Sequence, residues 1–486
     1  MLPPYGQSLA LLTDLYQLTM ACGYWKEGFA DREAVFHQAF RSNPFGGSFA
    51  VAAGLDSGTR WLRDLRFRED DLNYLRSLQG QGGQPLFEAG FLDYLRDFRF
   101  ACDVDAVPEG TVVFAGEPLL RIRGPLLQAQ LAETAILNIV NFQTLIATKA
   151  ARVCLAAGED PVLEFGLRRA QGIDGGLSAS RAAYVGGCAA TSNVLAGKLY
   201  GIPVRGTHAH SWVLAFETEA EAFDAFARAM PHNCVLLVDT YNTIEGVRRA
   251  VDTGIKMRAG GLHLAAIRLD SGDLAQLSTE ARKLLDAAGL RDTEIVASND
   301  LDEHRIADLK ARGAPIGIWG VGTSIAAAVG QSALAGVYKL ALLRDASGRW
   351  EGKSKVSDSP AKASIPGMLQ VRRFADKSGI RADLIYDELR APEDRWRGLD
   401  PSAGTGETEL TGANSDLLQP VLRGGRPLAT PEKLAAARER CRSQLDQLPV
   451  DVQRSAAGGR FPVFLETELL KEWERLAGPR QRGRGN

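Results

Sequence analysis

The chain is poor in anything that would staple it covalently. Its six cysteines (Cys22, Cys102, Cys154, Cys188, Cys234 and Cys441) are scattered singly, with no CxxC pair and no metal-ligand spacing. That pattern argues against a disulfide framework and against a structural zinc site. An excess of either charge is also missing: 57 Lys and Arg against 59 Asp and Glu leave a formal net charge of −2. Nothing is left over to neutralise a phosphate backbone, so a nucleic-acid partner is not expected. No window reaches the ~20 apolar residues of a membrane span. Residues 1–10 have no basic region followed by a long apolar run, so no signal peptide is expected and the location is read as cytoplasmic. No long internal repeat is found.

What is present suits a globular enzyme of more than one domain. The 486 residues exceed the roughly 250–300 at which a single hydrophobic core stops growing. Hydrophobic residues at 45% and charged residues at 24% are ordinary for a folded protein. In the first third, 11–24 has helical spacing with Thr13 or Asp14 as candidate N-cap. Residues 49–54 form a short apolar run, 111–121 alternates like a strand, and 126–150 reads as one long apolar helix.

From 161 the pattern changes. Apolar runs at 161–165, 203–205, 234–238, 264–267, 294–297, 316–320 and 336–342 start about 20–40 residues apart, the repeat of a parallel strand plus crossover helix. Seven such units favour barrel-like closure, with an open doubly wound sheet as the alternative. The expected fold class is therefore α/β: an irregular TIM-like α/β barrel, a smaller N-terminal α/β sandwich domain and a helical C-terminal extension. The expected division is 1–125 for the N-terminal domain (completed by part of 345–430), 126–344 for the barrel, and 345–486 for the C-terminal region. In that last region 344–355 reads as a hairpin around Ser347-Gly348, 401–415 as a loop, 430–445 and 464–476 as surface helices, and 480–485 as a disordered tail.

Polar residues gather at the C-terminal ends of these strands: Glu164-Phe-Gly-Leu-Arg-Arg, Gly206-Thr-His-Ala-His-Ser, Asp239-Thr-Tyr, Arg268-Leu-Asp-Ser-Gly-Asp, Ser298-Asn-Asp and Gly320-Val-Gly-Thr-Ser. In parallel α/β folds that rim binds ligands. Each cluster alone is equally a turn or a helix cap, but six at the same end are not explained that way. Gly320-Val-Gly-Thr-Ser opens a small-residue helix and suits a phosphate. Arg268 with Asp270 and Asp273 suits a polyhydroxylated sugar beside an anion, or carboxylates sharing Mg²⁺ with phosphate; the competing reading is an Asx-turn with a surface ion pair. Two arginines just past a strand, Arg168 and Arg169, call for an acidic partner, either a ligand or Asp174. His208 and His210 are two of only six histidines. With no third metal ligand nearby in sequence, a phosphate-accepting histidine is the better functional reading, against a core histidine.

Read together, Thr13-Asp-Leu-Tyr-Gln-Leu-Thr-Met, Phe40-Arg-Ser-Asn-Pro-Phe-Gly-Gly, 164–171, Thr191-Ser-Asn, 206–211, 268–273, 320–324 and Lys355-Val-Ser-Asp…Ile365-Pro-Gly resemble the nicotinate phosphoribosyltransferase family. They occur in that family's order and cover residues 11 to about 367. The related nicotinamide-using enzymes share the strand-end motifs but carry Asp where this chain has Ser192. A neutral Ser192 removes the repulsion an acid would exert on a carboxylate, so nicotinate is expected over nicotinamide. His37 stands where family members often have Glu.

The resemblance implies that nicotinate and 5-phosphoribosyl 1-diphosphate give nicotinate mononucleotide and diphosphate, with ATP as co-substrate, Mg²⁺ as cofactor, and a homodimer with shared active sites. It implies that His210 is the histidine phosphorylated by ATP, and that Tyr16 (from the second subunit) and Phe165 sandwich the pyridine ring. Thr207, Arg268 and Arg168 lie by nicotinate, Gly322 and Thr323 hold the 5-phosphate, and Asp270 acts near the ribose. The Mg²⁺ ligands are not assigned. Two other readings compete. A phosphosugar aldolase or isomerase would need a lysine or base on a strand end, and the lysines avoid most of those ends. A non-catalytic nucleotide binder would not explain His210, Arg268 and Asp270 together.

Overall fold

The computed structural model describes residues 9–355, 364–392, 395–401, 403, 406–453 and 459–477. The expected tail at 480–485 and the middle of the Lys355…Gly367 motif lie outside them. The chain divides into two compact units, one formed by Ile146–Ser332 and the other by the segments on both sides of it, Met1–Leu145 and Ala333–Asn486. Among the described residues no helix is long and apolar enough to cross a membrane, and all six cysteines are free thiols.

The two-segment unit contains a seven-stranded antiparallel sheet in the order Trp350–Gly352, Gly336–Arg344, Glu33–Phe40, Leu120–Pro125, Asp103–Ala106, Gln419–Arg423, Arg426–Pro427. The inner strand Glu33–Phe40 is buried nearly throughout. There Phe36 stacks on Tyr338 with ring centroids 5.0 Å apart. A second, six-stranded sheet runs Thr408–Leu410, Trp396–Leu399, Val463–Glu466, Gly379–Asp387, Leu369–Asp376, Ala413–Asp416. Buried Arg121 joins the two sheets: it pairs with Asp105 at 2.8 Å and with Glu388 at 2.9 Å, and donates to the Leu369 carbonyl at 3.1 Å. Beside it, buried His37 accepts the Leu369 N–H at 3.2 Å. Burial, then the Arg121 charge, hold its pKa well below the usual imidazole range, so it serves this contact as a neutral acceptor.

Ile146–Ser332 carries a six-stranded parallel sheet in the order Ala190–Thr191, Val162–Glu164, Ile318–Val321, Glu294–Ala297, Ala266–Leu269, Val235–Leu237. Its strands are almost uniformly apolar because helices cover a parallel sheet. The crossover helices start on side-chain caps: Thr218 with Glu221 in a capping box, Asn242, Asp273 and Asp302, each satisfying N–H groups left free at a helix start. A buried ion-pair cluster, Lys149 and Arg152 on Glu303 at 2.7 and 3.0 Å, ties helix Glu133–Ala157 to helix Glu303–Ala311.

The two edges of this sheet meet one irregular segment. Val204 makes a single parallel bridge to Thr191. The chain then crosses to the opposite edge, where the His208 ring accepts the Leu237 N–H at 3.1 Å. The ring of strands thus closes through a side chain instead of a seventh ladder, giving the irregular barrel expected.

Several elements differ from expectation. The 336–342 run is no barrel strand; it pairs antiparallel with Glu33–Phe40 in the other unit. Residues 203–205 form only the one bridge, while a short strand at Ala190–Thr191 holds the sheet edge. The 111–121 strand is two, Val112–Val113 and Leu120–Pro125, separated by a turn with Gly116 at φ 90°. The long helix breaks at Ala132 into Leu126–Leu131 and Glu133–Ala157. The 401–415 loop contains strands Thr408–Leu410 and Ala413–Asp416, and 463–466 is a strand ahead of helix Thr467–Ala477. The 344–355 hairpin forms as read, with Arg344 opposite Trp350.

Candidate functional site

Arg268 is the hub of the strand-end rim. Its strand continues an apolar run, so the guanidinium emerges where the ladder ends, with only 13% of the side chain exposed. It donates through Nε to Ser298 Oγ at 2.8 Å, through Nη1 to Thr207 Oγ1 at 3.2 Å and through Nη2 to Asp270 Oδ1 at 2.9 Å. The guanidinium carbon lies 5.8 Å from the centroid of the Phe165 ring. A largely buried arginine with one paired carboxylate keeps enough positive character to take a second anion in a planar fork.

Phe165 owes its position to missing side chains around it. A Cβ on Gly320 would come within 2.9 Å of the Phe165 ring, and one on Gly166 would overlap Ala326. Glycine at 320 leaves room for the aromatic ring, and glycine at 166 lets the turn after it pass close to Ala326.

Below Phe165 sits Glu164, only 1% exposed. Its carboxylate accepts the Gly166 N–H, the Ser180 hydroxyl at 2.9 Å and the Thr191 hydroxyl at 2.6 Å. Its carbonyl takes the Ser192 N–H at 2.9 Å. The turn after Phe165 and half-buried Ser192 are therefore both held from one buried residue. Asn193 completes the turn, accepting the Ala196 N–H at 3.2 Å as helix cap and donating to Ser180 at 3.1 Å.

The third face is acidic. Asp239 accepts the Asp270 N–H at 3.1 Å and the Ser271 hydroxyl at 2.6 Å on one oxygen, while its other oxygen, Oδ1, is buried with no protein partner. A buried carboxylate oxygen left unsatisfied is costly unless something else meets it. His210 opens helix His210–Leu214, and its Nδ1 lies 3.1 Å from Thr240 Oγ1. Thr240 thus anchors one ring nitrogen.

Phe165, Thr207, Arg268 and Asp270 thus meet directly, together with Ser298 from the end of the neighbouring strand. His210 joins through Thr240, next in chain to Asp239. Gly322 lies against the Phe165 carbonyl and caps the short helix that Thr323 begins. Arg168 is exposed on the turn Leu167–Arg169. Asp273 stands apart from this cluster. It caps helix Leu274–Ala287 through the Ala275 and Gln276 N–H groups and pairs with Arg312 at 2.9 Å, which lowers its pKa. Both carboxylate oxygens are occupied at the surface, the capping reading of that motif. Tyr16 is half exposed on helix Leu15–Lys26 of the other unit.

Two groups escaped assignment from sequence. Glu164 had a visible signal, an acid ending an apolar strand with no lysine near it. Asp239 had the same position at the end of 234–238. Among the described residues no three His, Cys, Asp or Glu gather as a ready metal cage. Asp239 and Asp270 supply the oxygen donors on which a hard cation held mainly by phosphate would rest.

Comparison with known proteins adds a lineage to this geometry. One family model, the nicotinate phosphoribosyltransferase (NAPRTase) N-terminal domain, matches residues 11–141, and another, the C-terminal domain of the same enzymes, matches residues 370–472. The nicotinate phosphoribosyltransferase of Bacillus subtilis (strain 168) is 44% identical over 399 residues, 81% of this chain and 80% of that protein. The chain belongs to the nicotinate phosphoribosyltransferase family. A Mycobacterium tuberculosis (strain H37Rv) member is 40% identical across 96% of this chain and 94% of its own. The crystal structure of human nicotinic acid phosphoribosyltransferase superposes with a TM-score of 0.84 at 32% identity, over 96% of this chain and 100% of that one. The family's fold is the α/β barrel-like one described above.

Proposed function

We propose that the protein transfers a phosphoribosyl group from 5-phosphoribosyl 1-diphosphate to nicotinate, the first step of salvaging nicotinic acid into NAD. The observation that carries this reading is the Arg268 guanidinium, fixed on Thr207, Ser298 and Asp270 beside the face of Phe165. A flat ring bearing a carboxylate fits that pairing: Phe165 stacks on the ring while Arg268 and the Thr207 hydroxyl meet the acid. Neutral Ser192 leaves the carboxylate unopposed, and Arg168 adds positive charge at the rim.

The nicotinate ring nitrogen attacks C1 of the ribose, and the C1–oxygen bond to diphosphate breaks, its electron pair leaving with diphosphate. Positive charge develops on the sugar as that bond stretches. Asp270 and Asp239, held rigidly by each other and by Ser271, would stabilise it. Gly322 and Thr323 would hold the 5-phosphate through backbone N–H groups. Mg²⁺ bound with the diphosphate would neutralise the leaving group, with the unsatisfied Asp239 Oδ1 and its neighbour Asp270 as protein ligands. ATP would pass its terminal phosphoryl group to His210 and leave as ADP, and hydrolysis of the phosphohistidine would then bias the site toward product. In a homodimer, the partner subunit's Tyr16 would cover the second face of the pyridine ring.

Diphosphate release measured with nicotinate, nicotinamide and quinolinate, each with and without ATP, tests this. Nicotinate is expected to react, faster with ATP. Turnover of nicotinamide alone would move the assignment to the amide-using relatives, and turnover of quinolinate alone would end it.

A further inference from the structure

His208 shares a loop with two proposed site residues, yet its ring turns away from them into the barrel wall. It is 8% exposed and packs edge-on against Phe226, centroids 4.7 Å apart, with Phe223 behind. Its Nε2 accepts the N–H of Leu237 at 3.1 Å, and Nδ1 lies 3.2 Å from the Ala209 carbonyl. Strand Val235–Leu237 is an edge strand, its one ladder being with Ala266–Leu269. An edge N–H facing the closed side of a barrel needs an acceptor that a strand would ordinarily supply. Here the imidazole supplies it.

We propose that His208 is a positioning residue: by taking the place of a strand at the barrel's seam, it sets where Thr207 and His210 stand relative to Arg268 and Thr240. The proposal rests on the reading of the site above. Thr207 precedes His208 and receives Arg268, while His210 follows two residues later and meets Thr240, which itself follows Leu237 by three. The two strand-to-loop links, His208 to Leu237 and His210 to Thr240, are therefore consecutive rungs between the same two segments. Only the neutral ring can do this, since the bond needs a lone pair on Nε2. Burial, reinforced by Arg268 and His210, pushes the His208 pKa down and keeps the ring in that form.

Three variants test the proposal. His208→Leu fills the space beside Phe226 but offers no acceptor. His208→Gln places an amide oxygen near the position of Nε2, and His208→Asn stops one bond short. KM for nicotinate, kcat and the stimulation by ATP are measured for each, alongside thermal melts. Loss of the acceptor for a buried N–H is expected to raise KM for nicotinate about tenfold in the Leu and Asn variants, with ATP stimulation at least halved. The Gln variant is expected to stay within about twofold of the parent in both. If Leu does not fold, Asn against Gln decides. Equal impairment of Gln and Asn, or an unchanged KM in Leu and Asn, overturns the proposal. The parallel variant His210→Ala separates the two readings: if it still responds to ATP, the phosphohistidine assignment fails while the KM comparison continues to judge His208.

Discussion

Asp270 Oδ1 receives Arg268 Nη2 at 2.9 Å and the Ser298 hydroxyl as well, while Arg268 Nε also reaches Ser298. This three-membered ring of contacts fixes the guanidinium plane at the C-terminal end of strand Ala266–Leu269. An arginine so held needs no reorganisation to receive a carboxylate, so under the proposed function much of the discrimination between acid and amide would fall to a prearranged fork.

Arg268→Lys is therefore not a mild change. A lysine keeps the charge but cannot bridge Thr207, Ser298 and Asp270 together. KM for nicotinate is expected to rise about 10- to 100-fold, the usual range for losing a charge-assisted hydrogen bond. Steady-state kinetics across nicotinate concentrations check it.

Ser192→Asp places an acid where the backbone is already fixed by Glu164. The expected outcome is a fall of about 10- to 100-fold in kcat/KM for nicotinate, as a like charge near a carboxylate costs in a shielded pocket. Turnover of nicotinamide should rise. Paired assays with both substrates decide it.

His210→Ala should retain ribosyl transfer at a reduced rate and lose the acceleration by ATP. Undiminished stimulation would remove His210 from the ATP cycle. Trapping of labelled phosphate on the parent protein, absent from the variant, gives a second readout.

The two-segment unit offers a test by pH. Glu117 is fully buried, and burial first, then Asp383, push its carboxyl pKa well above the ordinary value near 4.5. One oxygen accepts the Phe114 N–H at 2.8 Å; the other has no donor of its own to meet, and when protonated it has a hydrogen to offer Asp383. The folded state thus binds a proton that the unfolded chain releases near 4.5. Its contribution is fully present below that pH and is lost as pH rises through the folded pKa. Glu117→Gln, which cannot ionise, should melt higher relative to the parent as pH goes from 5 to 8. Thermal melts of both proteins across that range show whether the gap widens.

Much of the site could be read because parallel α/β folds put chemistry at one end of every strand. Arg268, Asp270, Thr207 and Phe165 met as their motifs suggested. The same rule could not separate Asp270 from Asp273. An aspartate after a strand serves equally as ligand or helix cap, and the choice depends on whether Arg312, 39 residues on, swings across. Sheet membership was also hidden. The run from Gly336 is as apolar as a barrel strand, and nothing in its composition says its partner is Glu33–Phe40. Val204 misled for the opposite reason: a strand-like run whose ladder is replaced by His208, a long-range contact without a local signature.

Arg121 and His37 each place one hydrogen bond on the backbone of Leu369, 248 and 332 residues further along. During synthesis on a ribosome Arg121 has Asp105 at hand, but His37 lacks the Leu369 N–H, and Arg121 lacks Leu369 and Glu388, until the intervening barrel and the start of the later sheet have emerged. The inserted barrel can finish first, and its early-made neighbour must wait for the late one. A nascent chain halted once Ser332 has cleared the ribosome should carry a finished barrel tethered to an incomplete front half.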